Sequence, residues 1–557
     1  MPAGAPMPGP EDAGPRATRC DMHAHSNASS GPATAALGMI GCPECYTEPE
    51  RAYEQAMARG MDLFALTDHD TIKGAMSLVE RGFPNVIVGQ EVTVYFPEDR
   101  CKLHVLVWDL SPEQDEQIGR LGLRDDVYEF ARWLHANNLA HALAHPLYVQ
   151  NAKLTRWHLE RCALLFKNFE VVNGAHAGTH VAALERFLAS LTPGRVHRLV
   201  QQHGLEPLWP RVWEKGRTGG SDDHGLLNIG RSWTSVTPAQ ADGHTPGEEP
   251  APVPARTLTA REFIRAVGAG RCDAGGEPGH AVLLAHQLAT VGAHYYARRV
   301  APRTSPRGRY IASHLLRFAG VDLPPPSKAA LALDVLKRRV ARRRREAPIV
   351  EALKVVLPEV MRRYPDLAAR AQGRVPGGKA AGSALSEHER TACFVDELHT
   401  GLHRAMAAGL RARRGRGFGA GRDDVLDTLV SYLALELSQV PYLFSLFHQN
   451  KERSFVEQIE REAERSARAL AAQSGSPVAG RGEGERGAMR VLLFTDTLGD
   501  VNGVSRFIRN TAEQARRTGR DLRVLTSTRF EVPAAENIVN FEPVLAGQMP
   551  GYSTLEA

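Results

Sequence analysis

The stretch Cys20-Asp-Met-His-Ala-His-Ser26 decides how this chain is interpreted, because it places two imidazoles two residues apart. A β-strand repeats every two residues, so on an extended segment His23 and His25 face the same side. An HxH pair alone does not identify a metal site, since histidines satisfied within a core or at a surface are commoner. The pair therefore has to be weighed together with the rest of the chain.

Four further cassettes carry metal-type side chains close to the ends of apolar runs. They are LTDHDT with His69, VGQEVT with Glu91, ALAHPL with His145, and GGSDDHG with Asp222 and His224. His104 belongs to the same set, although it lies within its predicted strand rather than after it. Imidazoles and carboxylates gathered from several strand ends bind divalent metals and do hydrolytic chemistry.

Short apolar runs alternate with helical patterns between about residues 18 and 236. The pattern predicts strands at 19–23, 61–67, 86–94, 102–108, 139–144, 169–173 and 218–221. It predicts helices at 49–59, 71–81, 124–137, 155–166, 178–190 and 194–203. Repeated βα units of this kind are typical of a parallel sheet, closed or open.

The rest of the chain divides by composition. We expect a disordered tail at 1–17, a Pro- and Gly-rich linker at 237–258, a helix at 259–270 that returns to the first domain, a helical region at 281–470, and a second linker at 471–488. The apolar segment 425–447 contains Asp427, Glu436 and Pro441, so we expect a buried helical pair, with membrane-surface contact as the alternative.

Composition favours a cytoplasmic setting. The N-terminus has no apolar core of a signal peptide, and no window of about 18 residues is both strongly apolar and free of charge, so we expect no transmembrane segment. The seven cysteines are few and odd in number, which indicates reduced thiols. Cys42 and Cys45 form a single CxxC, and without a second one we expect two unpaired loop thiols.

The net charge of +5 conceals a strongly basic stretch. Residues 298–345 hold 14 Lys or Arg against 2 Asp. Such a stretch is usually a solvated face, but an anionic partner, either nucleic acid or acidic lipid, could dock on it. No aromatic residues interleave with the run Lys337 to Arg345, which makes nucleic acid the unlikely partner.

The order and cassettes of the metal-type residues resemble the PHP family (polymerase and histidinol phosphatase domain). The resemblance covers roughly 18–236 and extends to about 280, so that 18–280 would form one domain. It implies a distorted seven-stranded β/α barrel that carries two or three divalent metals. Mixed nitrogen and carboxylate ligands suit Zn, Mn or Fe, and spacing alone does not choose among them.

The resemblance also implies a role for each ligand. His23, His25 and Asp222 would hold the first metal, Glu91 would bridge the first and second, His104 and His145 would complete the second, and His69 and His224 would hold a third. Glu91 and Asp222 would be the catalytic carboxylates. Ser30 stands where the family often has an acid for the third metal, which puts occupancy of that site in question unless Asp68, Asp70 or Asp223 compensates.

The chemistry that follows is hydrolysis of a small phosphorylated substrate, because a bridged metal pair supplies hydroxide near neutral pH. Arg231 is a candidate phosphate clamp, and its alternative is an ion pair with a surface acid. Asn173 and His176 follow the sixth predicted strand, where they would either touch substrate or cap the next helix or its loop.

Residues 489–557 begin with an apolar strand, a Gly-containing loop at 502–504 and a helix. This opening resembles the start of a family 4-like retaining glycosyltransferase, with a partial Rossmann-like unit over about 489–530. The second domain of that family is missing, so we expect a truncated segment that does not transfer sugar by itself.

Three functions follow from the sequence, and we rank them. The first is a metal-dependent phosphoesterase using a metal-bridged hydroxide, in a chain fused to a glycosyltransferase start. The second is a metal-binding regulatory or scaffold module of a glycosyltransferase, motivated by Ser30 and the basic stretch. The third is a nuclease-type PHP domain, ranked lowest because no polymerase segment is present.

Overall fold

The structure is a computed structural model of the whole chain. It describes residues 16–29, 31, 38–243, 256–319, 321, 323–340, 347–365, 367, 387–414, 422–474, 491–495, 498, 503–528, 532 and 535–541. Several segments discussed above lie outside these residues. They are most of the predicted tail, most of the two linkers, Ser30, Asn502 and part of the basic stretch. The chain divides into two compact units, Met1–Met406 with Arg416–Leu470, and Ala407–Gly415 with Ala471–Ala557.

The first unit is built on one mixed sheet of nine strands. The strands are β1 (Thr18–Asp21), β2 (Leu63–Leu66), β3 (Val86–Tyr95), β4 (Lys102–Trp108), β5 (Ala140–Leu143), β6 (Asn168–Asn173), β7 (Gly216–Gly220), β8 (Ser232–Val236) and β9 (Asp273–Gly276). Their order is β7-β6-β5-β4-β3-β2-β1-β8-β9. All seven predicted strands are therefore present, but the predicted number is two short, because β8 and β9 extend the sheet beyond β1.

The helices of this part lie between the strands, close to the predicted positions. They are α1 (Pro49–Ala58), α2 (Lys73–Glu80), α3 (Pro112–Arg120), α4 (Val127–Ala136), α5 (Arg156–Leu165), α6 (Gly178–Ala189), α7 (Pro193–His203), the short α8 (Pro238–Ala241) and α9 (Ala260–Gly268). The sequence interpretation missed α3, which begins at Ser111 with a reciprocal capping box to Gln114.

The prediction of a parallel sheet is wrong for β4. This strand runs antiparallel to both β3 and β5, whereas β1–β2–β3 and β5–β6–β7 are parallel. Only the short turn 96–101 joins β3 to β4, and it is closed by the Phe96 N–H donating to the Cys101 carbonyl at 3.0 Å. A turn of this length leaves no room for a crossover helix, so the two strands form a hairpin.

The sheet curls into a nearly closed barrel, because the chain after β7 returns to the end of β1. The Asp222 N–H donates to the His23 carbonyl at 2.7 Å, and the His25 N–H donates to the Asp223 carbonyl at 3.2 Å. Gly220 makes this approach possible: a Cβ there would lie 2.5 Å from the His23 nitrogen. Closure brings the carboxyl ends of β1 and β7 together at one mouth of the barrel.

Apolar side chains fill the barrel below this mouth. Alternate residues of the strands point inward, among them Met22, Leu63 and Leu106, and the indole N–H of the buried Trp108 donates to the Met22 carbonyl at 3.0 Å. Helix α9 covers the opposite end with Phe263 and its neighbours. With the interior packed and one end covered, chemistry is confined to the mouth.

The remainder of the first unit is helical. The helices described between residues 281 and 474 are α10 (Ala281–Tyr295), α11 (Pro306–Leu315), α12 (Lys328–Val340), α13 (Pro348–Arg363), α14 (Glu387–Arg414), α15 (Arg422–Leu437), α16 (Val440–Asn450) and α17 (Arg453–Ser474). The last residues of α14 and α17 belong to the second unit. One stretch within the described residues, Asp427–Arg465, is long and apolar enough to cross a membrane by length and composition. The prediction that 425–447 forms a buried pair is wrong, since Leu433 is 60% exposed and Phe447 is 76% exposed.

The second unit contains three parallel strands, β10 (Val491–Thr495), β11 (Leu522–Thr526) and β12 (Ile538–Asn540), in that order. Helix α18 (Gly503–Arg517) connects the first two. This strand–helix–strand arrangement is the one predicted from the sequence. The resemblance to a glycosyltransferase remains a prediction.

We predict that Gly220→Ala destabilises the barrel, because the new methyl group meets the backbone of His23, which cannot move without opening the closure. The free energy of unfolding should fall by about 1–3 kcal/mol or more. Gly119→Ala is the control: it lies at the exposed end of α3, where a Cβ has open space, and should be neutral or slightly stabilising. Denaturation followed by circular dichroism measures both; equal effects would contradict the closure account.

Candidate metal centre

Glu91 lies at the centre of the predicted ligands, and its two carboxylate oxygens face different groups. The side chain is 1% exposed. Its Oε1 lies 2.7 Å from His104 Nδ1 and 2.9 Å from His145 Nε2. Its Oε2 lies 3.3 Å from the Nε2 atoms of both His23 and His25. This is the arrangement expected of a carboxylate that bridges two cations.

Asp222 completes the group around Oε2. Its Oδ1 lies 3.4 Å from His23 Nε2 and 3.3 Å from His25 Nε2. One ligand atom from each of His23, His25, Glu91 and Asp222 falls within 4.8 Å of the others, and all four side chains are buried. Two imidazoles and two carboxylates at this spacing form a four-ligand set suited to a divalent ion.

We call the residues around Glu91 Oε2 (His23, His25 and Asp222) the first group, and those around Oε1 (His104 and His145) the second. A third group lies beside the first, and it includes an acid that the sequence interpretation missed. His25 stacks between His69 and His224, with ring centroids 4.5 and 4.1 Å away. The carboxylate of Glu44 lies 3.4 Å from His69 Nε2 and 3.6 Å from His224 Nε2. Glu44 therefore supplies a carboxylate beside His69 and His224, for which the sequence interpretation had named no acid at Ser30. Its neighbour Cys45 is buried, and the Cys45 thiol donates to the His25 carbonyl at 3.6 Å, which ties this loop to the site.

The three acids proposed to compensate for Ser30 have other partners. Asp68 accepts hydrogen bonds from Ser26 and Ser29, and Asp70 accepts from the Thr93 N–H. Asp223 accepts from the Gly225 N–H, and burial raises its pKa to about 6. These contacts shape the loops around the site. The carboxylate that lies beside both His69 and His224 is that of Glu44, which the CPEC segment presents with both thiols free.

The antiparallel β4 explains why His104 lies near the start of its strand. Because β4 runs opposite to its neighbours, its beginning lies at the same mouth as their ends, and His104 pairs with Thr93 near the end of β3. His145 and Asp222 instead follow β5 and β7 and take left-handed backbone conformations, with φ of 29° and 48°. Backbone in this region is sparsely populated by non-glycine residues, and it is typical of functional sites.

Glu170, also missed, organises the ligands from behind. This buried carboxylate of β6 accepts from His23 Nδ1 at 2.8 Å and from the His145 N–H at 2.8 Å. Asn173 donates to Glu170 Oε2 at 2.9 Å and to Asp222 Oδ2 at 3.1 Å. Carboxylates behind ligating histidines fix the ring orientation and strengthen metal binding. Asn173 Oδ1 also accepts from the Ala175 N–H at 2.8 Å, which is the loop cap that the sequence offered as the alternative to a substrate contact.

Arg231 and His176 occupy different surroundings. Arg231 Nη1 lies 3.5 Å from Glu277 Oε2, an ion pair with an exposed acid that the sequence left as the alternative. His176 lies beside the site: its ring centroid is 5.4 Å from that of His145 and 4.6 Å from that of Tyr148. His145, Asn173 and His176 line one recess at the barrel mouth.

Two helices of the helical region reach this mouth. From α10, the Gln287 side chain donates to the Asp222 carbonyl at 2.8 Å. From α16, Gln449 donates to the Ala175 carbonyl at 2.6 Å, and the His448 ring lies 5.4 Å from Tyr148. The helical region thus contributes side chains to the surroundings of the site, which the sequence interpretation did not anticipate.

Burial and neighbouring charges set the protonation of the centre. Burial alone would lower the pKa of His25, but hydrogen bonds to Asp222 and Glu91 raise it to about 10. Burial alone would raise the pKa of Glu91, yet its close contacts with His104, which include a hydrogen bond, and with His69 and His23 hold the pKa well below its usual range. Without metal the site therefore combines ionised carboxylates with protonated imidazoles. Metal binding must displace those protons, so metal affinity should rise with pH.

Other imidazoles stay neutral and can ligate directly. Burial lowers the pKa of His104 to about 3 and that of His224 to about 4. Glu44 is different: burial alone would raise its pKa, but hydrogen bonding to His69 outweighs burial and lowers the pKa to about 2. An ionised Glu44 beside neutral imidazole is a suitable ligand set for a divalent cation.

The donor set fits divalent metals. The Nε2 atoms of His23 and His25 face each other at 3.1 Å, and two unprotonated nitrogens approach so closely only around a shared cation or proton. Among the described residues, His104 Nε2 and His224 Nε2 are buried without a hydrogen-bond partner. Buried polar atoms are rarely left unsatisfied, so these atoms are suited to ligation.

Comparison with known proteins gives limited similarity. No protein-family model and no curated protein matches the chain. Among solved structures, PsfC from Pseudomonas syringae PB-5123 is similar at 14% identity and a TM-score of 0.26, over 47% of this chain and 92% of that one. An amidohydrolase from Chromobacterium violaceum with bound sulfate and no metal matches at 17% identity and a TM-score of 0.24, over 38% and 89%.

A third similar structure, from Bifidobacterium adolescentis ATCC 15703, is provisionally described as a metal-dependent phosphoesterase. It matches at 15% identity and a TM-score of 0.25, over 46% of this chain and 97% of that one. Scores and identities this low assign neither fold nor function. The functional proposal below therefore depends on the side chains of the site.

We predict that Glu44→Gln weakens the third group selectively, because a neutral amide replaces the only carboxylate described between His69 and His224. The weakest-bound metal equivalent should lose affinity at least about tenfold, while tighter equivalents stay bound. Titration with Zn²⁺ and elemental analysis of the full chain measure this. Glu54→Gln, on an exposed face of α1, is the control. Unchanged metal content and affinity in Glu44→Gln would exclude Glu44 as a ligand.

We predict that Glu170→Ala weakens the first two groups through the orientation of His23 and His145. Loss of a carboxylate behind ligating histidines typically costs about 10–100-fold in metal affinity. Competition with a chelator measures the tight equivalents in the wild type and the variant. Glu185→Ala is the control, since Glu185 on α6 pairs with Arg217 on the outside of the barrel. Equal affinities in the two variants would show that Glu170 only supports the fold.

Proposed function

We propose that this chain is a metal-dependent hydrolase of phosphate esters. The observation that carries the proposal is the position of Glu91, whose two buried oxygens face separate sets of imidazole nitrogens. Oε1 faces His104 and His145. Oε2 faces His23 and His25 at 3.3 Å and His69 Nδ1 at 3.0 Å. A pair of divalent ions bridged in this way lowers the pKa of bound water and offsets charge on a phosphoryl oxygen.

The chain's own residues would hold and orient this centre. His23, His25, Asp222 and Glu91 would bind one ion, and Glu91, His104 and His145 would bind the second. Glu170 accepts from both His23 and His145, so one carboxylate orients a ligand of each group. The buried walls exclude bulk water, which strengthens every charge interaction at the mouth.

The mouth also offers donors for a phosphoryl group. His176 and His180 stack beside His145 along the recess, with ring centroids 5.5 Å apart. Burial lowers the pKa of His176 well below its usual range and that of His180 to about 4, so each is a neutral ring with one N–H to donate. The Lys451 ammonium lies 4.1 Å above the Tyr148 ring at the same edge. Donors of this kind favour an anionic substrate.

Glu44 also bears on the rival interpretations. One reason to consider a scaffold module was that the third group lacked an acid at Ser30. The carboxylate of Glu44, which lies beside His69 and His224, weakens that argument. A divalent ion held by the third group would then add positive charge at the barrel mouth. The nuclease alternative gains no specific support from the described residues of the site.

We predict that the metal-loaded full chain hydrolyses an aryl phosphate, and that Glu91→Gln and His145→Ala lower kcat/KM at least about 100-fold, because each removes a ligand of the bridged pair. His197→Ala, at an exposed position on α7, is the control and should retain activity. The measurements are phosphate release from a monoester, phenol release from an aryl diester, and ring opening of a cyclic ester to its monoester.

Two outcomes would overturn the proposal. Metal-replete protein that is inactive on all three ester classes would favour the binding module. Degradation of single-stranded DNA that is lost in Glu91→Gln, without turnover of small esters, would favour the nuclease. Elemental analysis of each variant separates loss of metal from loss of chemistry.

A further inference from the structure

Helices α15 and α16 carry many large apolar side chains on the outside, although Leu435 of α15 is buried. We call these residues the apolar stripe: Leu429, Val430, Leu433, Leu437, Val440, Leu443, Leu446, Phe444 and Phe447. Each is between 46% and 76% exposed. Residues 440, 444 and 447 repeat at helical spacing, so they form one continuous face. A contiguous apolar face of this size on a protein surface marks a binding site.

The inner face of α16 is polar, and its contacts hold the apolar stripe outward. Ser445 is fully buried, and Gln449 donates to the Ala175 carbonyl of the barrel at 2.6 Å. At the other end of the helix, the Tyr442 hydroxyl lies 2.9 Å from His286 Nε2 of α10. Rotating the helix to bury its apolar side would break these contacts. The same contacts argue against a spanning helix, because the inner face is occupied by protein.

Helix α16 packs on α10, and positively charged residues follow the end of α10. Helix α10 leads directly into the basic stretch, where Arg298, Arg299 and Arg303 are exposed. The sequence from 298 to 345 holds 14 basic against 2 acidic residues. On α15 the acidic Glu436 lies 4.0 Å from His399 Nε2. An apolar face joined to a cationic segment is complementary to an anionic lipid surface.

We propose that the apolar stripe and the exposed arginines that follow α10 dock this protein on the surface of an anionic lipid bilayer. The composition of the stripe favours lipid over a second copy of the chain. Its exposed side chains are those of Leu, Val and Phe, without the Tyr and Trp that are frequent at the centre of protein interfaces. The proposal does not depend on the proposed hydrolysis, because no metal ligand lies on this surface.

The experiment is flotation of the full chain with vesicles. Vesicles of phosphatidylcholine alone are compared with vesicles that contain about one third phosphatidylglycerol, at low and high salt. The wild type should float with the anionic vesicles, and binding should fall with salt. The triple variant Leu443→Ser, Phe444→Ser and Phe447→Ser should lower the partition coefficient at least tenfold. Arg298→Gln with Arg299→Gln and Arg303→Gln should reduce the preference for anionic vesicles.

A matched control removes three exposed apolar side chains from other surfaces, through Val79→Ser, Leu121→Ser and Val355→Ser. It should bind like the wild type, and circular dichroism should show the same fold for all variants. Absence of binding to anionic vesicles, or equal binding by the stripe variant and the control, would overturn the proposal. A wild-type dimer that the stripe variant converts to a monomer, with no vesicle binding by either, would overturn it in favour of self-association.

Discussion

The structure depends on one buried carboxylate, that of Glu91, which has imidazole rings facing both of its oxygens. Glu91 carries a negative charge at 1% exposure, a position that is costly unless the charge is compensated. Compensation comes from imidazoles brought by β1, by β4 and by the segment after β5. The barrel has to close for these elements to meet at Glu91, and the close approach of Gly220 to His23 allows that closure. Fold and site are therefore two consequences of the same packing.

Much of this could be predicted from the sequence, because each ligand stands in its own cassette beside an apolar strand. The eight predicted ligands meet at the mouth, and the seven predicted strands exist. Strands β8 and β9 were missed because SWTSV and DAGG are short and carry few large apolar side chains. The direction of β4 was missed because strand periodicity is the same for both directions.

The two missed carboxylates had different causes. Glu44 lies in a loop, where no periodic pattern connects it to His69 or His224. Its flanking cysteines were the only available signal, and a single CxxC is uninformative about the residue between them. Glu170 lies inside an apolar strand. A single acid among buried apolar residues indicates a functional role, but the strand assignment alone gave it no weight. Apolar content likewise did not predict which face of α16 points outward. An apolar face is expected to be buried, but in α16 the few polar residues make the contacts with the rest of the protein.

The most direct measurement of the central claim is an anomalous-scattering map from crystals of the full chain soaked in Zn²⁺ and measured at the zinc edge. The account predicts two peaks, each about 2.0–2.2 Å from a different oxygen of Glu91. One should also contact His23, His25 and Asp222, and the other His104 and His145. A map with no peak at Glu91, or with one oxygen of Glu91 bonded only to protein, would contradict the account.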